Sequence, residues 1–179
     1  MAEIKGPSGK VALVDDEGRL SVFSVSEPED KHINREGGVH SAYFMETPSG
    51  SDNYFFYLKN TGTSDLFLTD VRISSTVPTT VYYEFVSGGP VFSAESPITS
   101  TNRNLGATNT VDAVISSDPD VTGLVSNGIL FFEKITAADT RYKLSTTSTI
   151  IIPQGKSVAF RSLVAGDIEC VVSIVDGVS

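Results

Sequence analysis

The chain has 179 residues, enough for one full-sized domain with its own core, and a net charge of −9 with 22 acids against 13 bases. A polyanion such as nucleic acid is repelled by that balance, and no basic run overrides it. One cysteine, Cys170, excludes an intrachain disulfide and makes thiolate ligation of zinc implausible; no apolar run approaches membrane-spanning length.

Serine and threonine fill 40 of the 179 positions, and with Val, Ile, Tyr and Phe they suit pleated surfaces joined by short turns. In chain order, VALV (11–14) and RLSVFSV (19–25) flank the turn sequence DDEG, which predicts a short hairpin. A polar stretch follows from 26 to 41. Further strands are predicted at 42–46, 53–60, 66–74, 80–86, 111–116, 128–135, 149–152, 157–163 and 168–175, with no sustained helical periodicity. Val81, Tyr83 and Phe85 share one face of their strand, and Tyr82, Glu84 and Val86 the other. In 66–74 the alternation sets Phe67, Val71 and Ile73 against Asp70, Arg72 and Ser74. Strands with one wet face belong to antiparallel sheets. The predicted fold is all-β, an antiparallel β-sandwich of jelly-roll type with an N-terminal polar arm. The domains read as an arm with a short hairpin over 1–40 and the sandwich over 41–179.

Two stretches carry no strand signal. Residues 87–110 read as a long surface or contact loop, and 116–127 as a shorter excursion whose Asp118 and Asp120 are turn acids rather than half a calcium loop. Cys170 alternates with Ile168, Val172 and Ile174, which predicts a buried thiol acting as a small hydrophobe.

Chemistry is sparse. There is no G-x-S-x-G elbow, no phosphate-binding glycine loop and no H-E-x-x-H pair, so no catalytic, metal or cofactor residue is assigned. Both histidines, His32 and His40, lie in SVSEPEDKHINREGGVHS (24–41), amid Glu27, Glu29, Asp30 and Glu36. Eight residues separate them, across Gly37-Gly38, without the rigid frame that a metal site needs. The mixed charges predict a connecting or contact arm in which Lys31, His32, Asn34, Arg35 and Glu36 meet a neighbouring chain or their own sandwich. Arg103 and Asn104 are further candidate contacts, within the 87–110 loop. The chain lacks tryptophan, so a glycan platform would fall to Tyr54, Tyr57, Tyr82 or Tyr83.

The run YFFYLKNTGTSDLFLTDVRISS (54–75), with EPEDKHINREGG (27–38) before it and TIIIPQGKSVAF (149–160) after it, resembles small β-sandwich structural proteins of tailed bacteriophage virions. The resemblance covers most of the chain from about residue 10. It implies a non-enzymatic virion component made in the host cytoplasm. The leading expectation is a capsid decoration or cement protein on the outer head surface that bridges capsomers as a homotrimer, with the major capsid protein as partner. No nucleic acid, membrane, cofactor or small-molecule substrate is expected. A tail, baseplate or fibre component is the second expectation, and a glycan-binding module the third.

Overall fold

The computed structural model describes residues 37–143 and 149–176 in full, and the backbone of residues 2–5, 11–14 and 20–22. The chain divides into two compact units, residues 1–32 and 33–179. In the first, strands β1 (Ala2–Lys5), β2 (Val11–Val14) and β3 (Leu20–Val22) form an antiparallel sheet in that order. β2 and β3 pair with Ala12 opposite Val22.

The second unit is all-β: among the described residues there is no helix. Its strands are β4 (Val39–Glu46), β5 (Asn53–Asn60), β6 (Leu66–Ser75), β7 (Thr79–Val91), β8 (Ser96–Pro97), β9 (Thr101–Asn102), β10 (Ala113–Ile135), β11 (Tyr142–Lys143), β12 (Ile150–Ile152), β13 (Ser157–Ser162) and β14 (Ile168–Asp176). They build two antiparallel sheets. One runs β11-β6-β14-β4-β9, with β12 also on β6; the other runs β5-β13-β7-β10-β8. Alternating apolar residues from both sheets meet in one core, which includes Phe44, Leu68, Ile73 and Val172 from the first and Phe56, Tyr83, Ile115 and Phe160 from the second. Phe56 stacks on Phe44 at 4.9 Å between centroids and lies 4.4 Å from Phe160, so the aromatic contacts cross between the sheets. Cys170 is fully buried here, and burial pushes its thiol well above the ordinary range.

The register departs from simple alternation in β6. Ser173 faces Asp70 and Ile174 faces Leu68, so Thr69 is an extra residue in a bulge. Leu66 and Leu68 point into the core before it, and Val71 and Ile73 after it. Phe67 therefore lies on the opposite face from Val71 and Ile73, which corrects the face expected from unbroken alternation. The faces expected for β7 hold at Val81 and Tyr83, which enter the main core, and at Glu84 and Val86, buried on the other side.

The second sheet closes on itself. β10 is a 23-residue strand whose first part, to Val121, pairs with β5 and whose remainder, from Thr122, pairs with β7. β13 lies between β5 and β7. The pairings thus return to their start, and side chains from all four strands converge on a second cluster of Tyr57, Val86 and Ala159, packed by Tyr54, Phe92 and Leu124. Glycines turn the corner. Gly88 and Gly123 both have positive φ (95° and 74°), and a Cβ on Gly123 would come within 2.5 Å of the Gly89 carbonyl oxygen.

This closure corrects two expectations. The 116–127 excursion is the middle of β10, and the 87–110 loop begins as five more residues of β7 and contains β8 and β9. Strand pattern is hidden there because the buried side chains are polar. Ser116, Ser117 and Asp118 are all buried, so an apolar alternation never forms.

Candidate functional site

A buried group of charges lies within the closed sheet. Glu84 on β7 is fully buried, and Arg161 on the neighbouring β13 donates from Nε (2.9 Å) and Nη2 (2.5 Å) to its Oε1. Tyr54 on β5 donates its hydroxyl to Glu84 Oε2 at 2.6 Å. Burial, and then the Glu84 carboxylate that it serves, push the Tyr54 phenol far above its ordinary range, so the phenol stays protonated. Arg161 Nη1 pairs with Asp52 at the rim, and the guanidinium lies over the Tyr82 ring, 4.9 Å from its centroid. Glu84, Tyr54 and Arg161 thus bond chiefly to one another, while Asp52 stays 64% exposed at the rim. Such a network fixes the register of three strands.

Asp118 behaves similarly. It is buried on β10, and it accepts from Ser93 Oγ at 2.8 Å, from the Ala94 N–H at 2.5 Å and from the Asp120 N–H at 2.7 Å. Burial alone would raise its pKa, but these donors outweigh it and hold the carboxyl below the usual range. Asp118 clamps the chain after β7 onto β10. Among the described residues no three His, Cys, Asp or Glu side chains group as a metal site, and no helix is long and apolar enough to cross a membrane.

The feature that stands unsatisfied is a surface. From Thr122 to Ile135, β10 pairs on one side with β7, and among the described residues no strand lies on its other side. Val125, Ile129, Leu130 and Phe132 project from this edge with 48–60% of their surface exposed, and Ile151 on β12 adds a fifth at 55%. Beside them is an apolar groove of about 200 Å³, lined by Phe85, Leu130, Ile151, Ile152, Pro153 and Val158, with Lys156 Nζ 5.9 Å from the Phe85 ring centroid at its rim. Ile129 and Phe132 lie on the face of Glu84 and Tyr82, and Leu130 lines the groove beside Phe85. Exposed apolar side chains scattered singly need no explanation, but several along a strand edge that lacks a partner mark a contact surface.

The residues expected to make contacts are placed as follows. Lys31, His32, Asn34, Arg35 and Glu36 lie outside the described residues. Arg103 is exposed after β9, and its N–H bonds the Val39 carbonyl at 2.8 Å. Asn104 is half-buried and shapes its own turn, its Oδ1 accepting from the Gly106 N–H at 3.0 Å and its carbonyl from the Ala107 N–H at 2.9 Å. Asn102 ties the same loop to the start of β4 through the Gly37 carbonyl, at 2.7 Å. His40 is not an arm residue. It is buried in β4, opposite Ile174, and burial depresses its imidazole pKa against the pull of Asp176. Tyr83 is wholly within the core and Tyr57 is buried, with its hydroxyl 3.0 Å from Ser157 Oγ, so neither ring can serve as a glycan platform.

The β10 edge was only half-visible in the sequence. GILFFEKI read as a strand, yet which side of it would lack a partner depends on where β7 and β13 insert. No family model, no curated protein and no solved structure matches the chain.

Proposed function

We propose that the protein is a non-enzymatic structural component of a tailed-phage virion, and that it acts as a capsid decoration protein on the head surface. Its two-sheet unit is read as a jelly-roll-like sandwich, and the polar stretch that precedes β4 as the arm that reaches the major capsid protein. The observation that carries the reading is the contrast between its polar groups and its surface. Glu84, Arg161, Tyr54 and Asp118 are consumed in internal bonds, while the β10 edge leaves a row of apolar side chains and main-chain groups for another molecule. A scaffold of this kind works by occupying a neighbour's surface. Several weak contacts made at once give firm attachment to a repeating lattice such as a capsid.

The test compares expanded heads with and without the protein for resistance to heat. Added protein should bind bare heads and raise the temperature at which they release their contents. Heads equally resistant in both states, with no protein bound, would overturn the proposal. Binding to isolated tails in place of heads would transfer the protein to the tail apparatus.

A further inference from the structure

We propose that the face of the closed sheet bearing Tyr54, Arg161, Tyr82 and Phe132 binds an uncharged oligosaccharide. Register brings these four residues into one row. Tyr54 on β5 lies opposite Arg161 on β13, Arg161 opposite Tyr82 on β7, and Tyr82 opposite Phe132 on β10. Directly opposed residues of neighbouring strands share a face, and the side-chain contacts agree. The Arg161 guanidinium lies 5.9 Å from the Tyr54 ring centroid and 4.9 Å from that of Tyr82. The Tyr82 and Phe132 centroids are 6.2 Å apart, with their planes inclined at 48°. Three strand spacings make the row roughly 14 Å long.

The two ends of the row differ. Phe132 is 57% exposed, and among the described residues no strand lies beyond it on the far side of β10. Ile129, opposite Glu84 and 54% exposed, extends this apolar end. At the polar end Asp52 sits in the turn before β5 at φ +68°, its Oδ1 held by Arg161 Nη1. Its other carboxylate oxygen has no hydrogen-bond partner among the described residues.

Charge selects the class of ligand. A cation would meet Arg161 in the middle of the row. A phosphate or carboxylate would meet Asp52, with Glu84 behind it, in a chain of net charge −9. That removes nucleic acid, whose bases also stack on aromatic rows of a sheet. The remaining ligand is neutral, carries a flat apolar side for Phe132 and donates hydrogen bonds to a carboxylate. A pyranose ring has all three properties, with C–H groups across its face and hydroxyls around its edge. Asp52 and Phe132 stand at opposite ends of the row, so a chain of sugars, and not one ring, reaches both. Glu84 fixes the Arg161 guanidinium between them before any ligand arrives, so little side-chain freedom is lost on binding.

The experiment uses the full chain and needs no phage particle, so its result stands apart from the head-binding test. The protein is run by affinity electrophoresis in gels cast with glucan, mannan, galactan or xylan, and with polygalacturonate or heparin as anionic controls. At least one neutral polymer should retard it, and neither anionic polymer should. Phe132→Ala and, separately, Asp52→Asn should each weaken the interaction about tenfold, the scale of one lost contact. Asparagine is the replacement because it tolerates positive φ as aspartate does. Tyr43→Ala, at a 54% exposed tyrosine on β4 in the other sheet, should leave retardation unchanged. A wild type unretarded in every neutral gel, retardation by the anionic polymers alone, or binding untouched by both Phe132→Ala and Asp52→Asn would overturn the proposal.

Discussion

Removing the Arg161 guanidinium from above Glu84 tests the ion network directly. Glu84 is fully buried and the Arg161 side chain is only 18% exposed, so solvent screens the pair little. Arg161→Met keeps most of the side-chain volume and deletes two charged donors to Glu84 Oε1, leaving the carboxylate with the Tyr54 hydroxyl. Breaking a buried pair by removing one partner costs about 3–5 kcal/mol, mostly because the surviving charge is left uncompensated. In urea, with a slope of about 2 kcal/mol per molar, the unfolding midpoint should fall by roughly 2 M. Adding Glu84→Leu removes the orphaned charge, and the double variant should regain most of the loss. A residue of about 1–3 kcal/mol should remain for the Tyr54 hydroxyl that loses its acceptor. A midpoint shift below about 0.5 M for Arg161→Met at unchanged slope, or a double variant less stable than the single one, would refute the reasoning.

Three further outcomes follow from particular residues. Among the described residues the buried Tyr83 hydroxyl has no hydrogen-bond partner, so Tyr83→Phe should leave the unfolding midpoint unchanged or raise it by up to about 1 kcal/mol in equivalent stability. Gly123→Ala places a side chain at φ +74° against the Gly89 carbonyl and should cost about 2 kcal/mol or more, read by thermal unfolding. His40 has a depressed pKa, so its contribution is fully present above the ordinary value of 6.5 and is lost as pH falls through the folded value. Asp176, raised by burial and by Asp112, works in the opposite direction as pH falls. Stability measured from pH 8 to 5 should therefore fall less steeply below about 6.5 in His40→Gln than in the wild type.

Strands whose buried face is apolar could be read directly: β5, β6, β13 and β14 lie within a residue or so of their expected bounds. Reading failed where burial is served by polar atoms. Val39 and His40 begin β4 inside what looked like a polar arm, and Ser116 to Asp118 carry β10 through what looked like a turn. The glycines at 88, 89 and 123 read as loop punctuation, but they form the corner of a continuous ribbon. The Glu84–Arg161 pair spans 77 positions, and nothing local in either strand announces the other. Exposure of the β10 edge is likewise a property of topology: an apolar run looks the same whether a neighbour covers it or not.

The order in which strands leave the ribosome gives the closed sheet a further meaning. β5 and β7 are synthesised early, yet the strand between them, β13, is complete only at Ser162. The other sheet waits longer, because β14 separates β6 from β4 and ends at Asp176. A nascent chain that lacks β13 and β14 holds apolar strands with no central partner in either layer. Folding of this unit is thus deferred until Asp176 has been made, and a stop near residue 150 should yield an aggregation-prone product rather than a smaller folded protein.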